Sequence, residues 1–128
     1  MNIGNAIYNI LSNDETVAAL VETKIYPVTA DQSITGSYIT YQVISKANNK
    51  NKDRAVAVQT IRVQIDMVAE TYDGVNAIAD AVADALSFYS GTIESIKIDI
   101  ITFEDENDFF SDEPEVYRKE QDYIIRVN

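Results

Sequence analysis

Thr60-Ile61-Arg62-Val63-Gln64-Ile65-Asp66-Met67 alternates polar and apolar residues without a break, and a second apolar period begins just after it. Strict alternation is the pattern of a strand with one buried face. From Thr71 onward Val75, Ile78, Ala79, Val82 and Leu86 recur at helical spacing, with Asp73, Asp80 and Asp84 on the opposite side. That spacing predicts a helix with one apolar stripe, and Thr71 is a residue type that caps helix N-termini. A strand with one apolar face followed by a helix with one apolar stripe buries both most simply by packing them together, which predicts an α+β domain.

Upstream, Ile3, Ala6, Ile7, Ile10 and Leu11 give a short amphipathic helix, and Ser12 with Glu15 has the form of a capping box for a second one carrying Val17, Leu20 and Val21. Ile25-Tyr26-Pro27-Val28 reads as extended and suits a sheet edge, because proline has no backbone N–H to give to a ladder. Tyr38 to Ile44 is rich in aromatic and β-branched residues and reads as a strand. Lys46 to Arg54 is polar apart from Ala47 and reads as a projecting loop tip, and the opposite parity of Val56 and Val58 points to a bulge near Gln59.

Downstream, Ile93 to Phe103 is strongly β-forming with a change of parity that predicts a further bulge. Residues 104–115 hold seven acids and no base and read as a long acidic loop. Tyr117, Gln121, Tyr123, Ile125 and Val127 then define a last strand. The expectation is one domain over residues 1–128: a single mixed, mostly antiparallel sheet of about four to five strands with helices packed on one face.

Composition bounds the function. With 128 residues, 46% of them apolar, the chain can bury a core of its own, and the absence of cysteine leaves that core without disulfides or thiolate metal sites. No apolar run approaches the roughly 20 residues of a membrane span, and Met1-Asn2-Ile3-Gly4-Asn5 lacks the basic start of a signal peptide, so neither export nor a membrane partner is expected. A net charge of −11 opposes binding to a phosphate backbone. The charge is uneven: residues 1–64 carry six bases and five acids, residues 65–128 four bases and sixteen acids.

Catalysis finds little to work with. The chain has no histidine and no cysteine, and its four glycines are too far apart for a phosphate-cradling loop, so no cofactor is expected. Glu104, Asp105, Glu106 and Asp108 could in principle serve as acid and base, but a run of acids is ordinarily a solvated surface. Asp105, Asn107 and Asp112 are oxygen donors of the kind calcium takes, yet the third ligand and the turn glycine of an EF-hand loop are missing. What remains is contact chemistry, in which Tyr8 lies off the apolar stripe of its helix and is a candidate for meeting another chain. So are the basic group Lys46, Lys50, Lys52 and Arg54, and the acidic group Asp105, Glu106, Asp108, Asp112 and Glu113 with Phe109 and Phe110 among them.

Several stretches in their order resemble the tail-completion family of long-tailed bacteriophages, the tail-terminator or tail-to-head joining proteins. They are Val17-Ala18-Ala19-Leu20-Val21 leading to Ile25-Tyr26-Pro27, then Tyr38-Ile39-Thr40-Tyr41-Gln42, Arg62-Val63-Gln64-Ile65-Asp66 and Ala79-Asp80-Ala81-Val82. Near the end come Glu104-Asp105-Glu106 and Tyr117-Arg118-Lys119-Glu120-Gln121-Asp122-Tyr123. The chain departs from the family's look at Gly36-Ser37, where a proline is expected before the strand, and in the weight of its acidic segment. The resemblance implies a structural subunit that caps the finished tail tube as a hexameric ring and meets the head-completion or connector protein. Its partners would be further copies of itself, the tail tube protein and the connector protein, with DNA only as passing cargo. Its place would be the head-tail junction of the virion, after assembly in the host cytoplasm. An acidic decoy that imitates DNA to block a nucleic-acid enzyme is the alternative that the net charge allows.

Overall fold

The computed structural model describes residues 2–28, 36–49, 58–112 and 115–128, with positions 48, 49, 58 and 112 described by backbone alone. Helices α1 (Ile3–Asn13) and α2 (Glu15–Val21) lead into strands β1 (Ile25–Pro27), β2 (Tyr38–Asn49) and β3 (Val58–Ala69). Helix α3 (Tyr72–Leu86) follows, and β4 (Gly91–Ile93), β5 (Ile96–Asp112) and β6 (Glu115–Val127) complete the chain. The strands form one six-stranded sheet in the order β1-β2-β3-β6-β5-β4. Only β1 and β2 run parallel. The sheet is therefore mixed and mostly antiparallel as expected, with more strands than expected because Ile93 to Phe103 is divided.

That division is a tight turn. Ile93 pairs with Ile96, and the two residues between them, Glu94 and Ser95, have φ of 48° and 72°. Two successive left-handed residues make the hairpin turn whose twist matches that of the flanking strands. The sequence hides it, since neither residue is the glycine or asparagine that ordinarily marks such a turn.

The core sits between the sheet and the helices. On β3, Ile61, Val63, Ile65 and Met67 are fully buried while Arg62, Gln64 and Asp66 between them are not. From α3, Val75, Ile78, Ala79, Val82 and Leu86 meet that face, and α1 adds Ile3, Ala6, Ile7 and Leu11. The residues singled out from periodicity are thus the core.

Capping follows the sequence at one helix and departs from it at another. Thr71 Oγ1 accepts from Gly74 N at 3.0 Å, as expected for α3. A side chain at Gly74 would bring a Cβ to 2.8 Å from that oxygen, so glycine is what lets the cap close. At α2 the cap is Asp14, whose Oδ1 accepts from Val17 N at 3.0 Å, and Ser12 instead donates to Asn9 O inside α1. The chain extends at Asp14 and starts the second helix from there, which moves the cap two residues beyond the expected one.

Both polar segments were expected as loops, and the backbone makes strand of much of each. β2 continues through Lys46 to Asn49, paired with β3. The acidic segment continues β5 as far as Asp112, paired residue by residue with the start of β6. Partner strands supply the ladder in each case, and tertiary pairing outweighs the low strand preference of Asn, Asp and Lys. The bulge expected near Gln59 is not there: β3 pairs with β2 in unbroken register from Val58 to Arg62, and the irregularity lies instead on β2, where Ile44 is the extra residue between Val43 and Ser45; Val56 lies outside the described residues. The bulge expected within Ile93 to Phe103 is present at Asp99, and another follows at Glu104.

Truncating Ile65 or Leu86 to alanine is expected to cost about 2–5 kcal/mol, measured by denaturant unfolding. Replacing Glu94-Ser95 by Asn-Gly is expected to raise the melting midpoint by removing two strained residues worth about 1 kcal/mol each. An unchanged midpoint would show that the turn is not strained.

Candidate functional site

The hairpin of β5 and β6 brings most of the candidate acidic and aromatic residues together. Its register sets Glu106 opposite Gln121, Asp108 opposite Lys119 and Phe110 opposite Tyr117. Because side chains alternate, these pairs share the helix-facing side, continuous with buried Tyr123 and Ile125. Asp105 opposite Asp122, Asn107 opposite Glu120 and Phe109 opposite Arg118 take the other, helix-free side.

On the helix side a buried cation organises the carboxylates. Lys119 is 6% exposed; its Nζ lies 2.5 Å from Asp108 Oδ1 and 3.7 Å from Glu106 Oε2. Tyr72, at the start of α3, donates its hydroxyl to Asp108 Oδ2 at 3.2 Å and sets its ring 5.8 Å from the lysine nitrogen. Burial pulls the Lys119 pKa down, but the hydrogen bond to Asp108 and the charges of Glu106 and Asp108 outweigh it and leave the ammonium above its ordinary value. The hydrogen bond from Lys119 in turn holds the Asp108 carboxyl below its ordinary value, against a smaller opposing effect of desolvation.

Gln121, 1% exposed, links this group to the helix. Its amide nitrogen donates to Ala79 O at 3.1 Å and to Glu106 Oε1 at 2.8 Å, and its oxygen accepts from the Tyr123 hydroxyl at 2.7 Å. Burial, and then the charges of Glu106 and Asp84, push the Tyr123 phenol well up. Two of the candidate acids, Glu106 and Asp108, are therefore fixed from below and not loose on a loop. Aromatic rings continue the arrangement outward: Tyr117 packs against Tyr72 at 5.6 Å and against Phe110 at 4.9 Å between centroids.

The helix-free side is different in kind. Asp105 faces Asp122 across one pair of strands, and Asp66 faces Glu120 across another. Like charges directly opposite destabilise a sheet. Burial first, then Asp66 and Asp122, push the Glu120 pKa up against the pull of Arg118, which pairs with it at 3.2 Å. Arg118 also lies over the Phe109 ring at 5.1 Å.

Two other candidates stand apart. Lys46 is exposed on β2, and Tyr8 is exposed on α1 at 41%. Lys46 pairs with Ile61, near the C-terminal end of β6, whereas Asp108 and Phe110 pair with Lys119 and Tyr117 near its start. Lys46 and the described acids thus lie at opposite ends of the strands, on the second and fifth strands of the sheet. Asp112 ends β5, and Lys50, Lys52, Arg54 and Glu113 lie outside the described residues. The sequence reading missed Lys119, Gln121 and Tyr72; the parity of Tyr117 and Tyr123 already assigned Lys119 and Gln121 to the buried face. Among the described residues no group of three or more acids could hold a metal ion.

Against known families, the model of the tail completion protein gp17 family matches residues 5–128. The chain belongs to the tail completion protein gp17 family. Membership makes it a structural protein of bacteriophage virion assembly. A solved chain from the virion of a native gene transfer agent particle is similar to this tail completion protein with a TM-score of 0.76 and 21% identity, over 94% of this chain and 90% of that one. At that identity the likeness shows a shared fold. No curated protein matches this chain.

The buried lysine predicts a pH response. The folded pKa of Lys119 is raised, so its contribution to stability is present below the unfolded value of about 10.4 and is lost as pH rises through the folded value. Asp108 is lowered, so its contribution is present above about 3.9 and is lost as pH falls through its folded value. Tyr123, raised like the lysine, adds to the alkaline loss. Melting curves across pH are expected to fall at both extremes, and Lys119→Met is expected to flatten the acid limb and part of the alkaline limb. Unchanged limbs in that variant would show that the ion pair does not stabilise the hairpin.

Proposed function

We propose that this chain is the tail-terminator subunit, which caps the tail tube as a hexameric ring and offers a surface to the head connector. Family membership supports the tail assignment. The observation that carries the ring is the separation of charge: basic Lys46 and the acidic stretch of β5 occupy opposite ends of the strands and lie toward opposite edges of the sheet. They cannot meet within one copy. In a head-to-tail ring, one surface of each subunit meets a different surface of the next, so unlike patches repeat without like-charge contacts. Each exposed pair is worth about 0–1 kcal/mol, and the patches act chiefly by fixing orientation and speeding encounter.

The proposed role is one of contact and assembly. A cleft of about 400 Å³ lined by Asn2, Gly4, Asn5, Pro27, Val28, Tyr41, Gln42 and Val43 has neither a carboxylate nor a basic side chain. The decoy reading fits less well, because a decoy needs a continuous carboxylate surface, and Arg62, Arg118 and Arg126 interrupt the helix-free side of the sheet. The subunit works at the head-tail junction, with the tube protein on one side, the connector protein on the other and DNA passing through.

Reversing Lys46 and Lys50 to glutamate is expected to weaken capping of tail tubes, seen as overlong or uncapped tubes in negative-stain images. Adding Asp105→Lys is expected to restore part of it, whereas additive damage would remove the pairing of patches. The free chain is expected to be monomeric, since its core is complete without a neighbour, with the ring forming on the tube end. Light scattering that finds a hexamer at every dilution would overturn the second expectation.

A further inference from the structure

Among the described residues the sheet has two unfinished edges. On one side β1 covers only Ile39 to Tyr41 of β2, and Val28 N adds a bond to Tyr41 O. Among the described residues, Val43–Asn49 has no strand beside it on that edge. On the other side β4 covers only Ile96 to Ile98 of β5, and Ile101 closes the covered part by bonding Phe88 and Tyr89 through its C=O and N–H. From Thr102 to Asp112 the outer edge of β5 has no described strand partner. Open edges of this length are templates for another strand, and proteins ordinarily blunt them.

We propose that the two edges complete each other between neighbouring copies of this chain, so that β2 of one subunit adds to β5 of the next and the sheets run on around the ring. The inference rests on the ring reading and specifies how its subunits join. Direction favours it: β2, β3, β6 and β5 are successively antiparallel, so β2 and β5 run oppositely, and subunits in one orientation bring them together antiparallel. That is the somewhat more stable kind of pairing. Charge also favours it. The free stretch of β5 carries Glu104, Asp105, Glu106 and Asp108, and that of β2 carries Lys46, with Lys50 and Lys52 following in the sequence. Two β5 edges repel each other, so the acids that oppose β5–β5 pairing also select β2 as partner.

The free stretches lie at opposite ends of the sheet, so they meet only if successive subunits are offset along the strands. In a closed ring that offset means strands tilted to the ring axis, the geometry by which sheets close. Main-chain bonds give such a junction its strength, and the charges give it its register.

The chain contains no cysteine, which makes a disulfide scan clean. Lys46→Cys is combined with a cysteine at Phe103, Asp105, Glu106 or Asn107 in turn, and tails capped by each variant are oxidised and run on denaturing gels. Ladders of linked subunits are expected, strong at alternate scanned positions. Capped tails without any ladder would overturn the edge pairing and leave the ring standing. Uncapped tubes with monomeric protein would remove the ring, and the edge pairing with it. A second pair of variants uses the backbone. Alternation from Ile39 and Tyr41 past the bulge turns the Lys46 N–H toward the free edge, so Lys46→Pro removes a donor that the subunit's own ladder does not use. With both variants shown to fold by their melting curves, Lys46→Pro is expected to reduce capping at least tenfold and Lys46→Thr only a few-fold. Equal effects would mean that the side chain, and not the strand edge, makes the contact.

Discussion

The pairing of β3 with β6 is the constraint on which the remainder depends. It joins segments far apart in the chain, and its register fixes which face of each strand is buried. With Ile61 opposite Ile125, Val63 opposite Tyr123 and Ile65 opposite Gln121, both strands turn their apolar series toward α3. A slip by one residue would send either series to solvent, so the register is strongly held. β2 and β5 then add to the outer sides of this pair, and their free stretches point to opposite ends because each pairs antiparallel with its neighbour.

The same register explains how an acid-rich strand can exist. Glu106 and Asp108 would repel each other on an isolated hairpin. Here Lys119 lies between them on the buried face, and Gln121 connects Glu106 to the Ala79 carbonyl of α3. Two partly exposed carboxylates satisfy one buried ammonium, which is what a buried charge requires. The helix-free side has no such arrangement: Asp105 faces Asp122, and Asp66 faces Glu120. A sheet that keeps unfavourable pairs on its uncovered face and compensated ones on its covered face has its stability below, and the proposed contacts fall at its edges.

In the proposed role, the subunit is stable alone and adds to a partner on the tube end. A closed core with two sheet edges that are unfinished among the described residues, and oppositely charged, suits that proposed role without a moving part. Core burial stabilises the single copy, while under the proposed edge pairing the edges contribute only when a second copy brings the matching strand.

The sequence by itself determined the α+β class, the α3 stripe with its Thr71 cap and the buried face of β3, because these rest on periodicities of two and 3.6 that local chemistry enforces. Order and parity also carried the resemblance to the tail-completion family. Composition could not show that residues 104–112 and Lys46 to Asn49 are strand, since acidic and polar runs look like loops until a partner strand supplies their hydrogen bonds. Nor could it show the left-handed turn at Glu94-Ser95, which lacks the usual glycine, or move the helix cap from Ser12 to Asp14. Of the candidate site, the sequence identified the charged groups, but only tertiary structure brought Lys119 and Gln121 beneath the acids and set Lys46 at the far end from them. The reason is that face and distance in a sheet are set by pairing between remote segments, and one strand read alone contains its own alternation but not its neighbour's register.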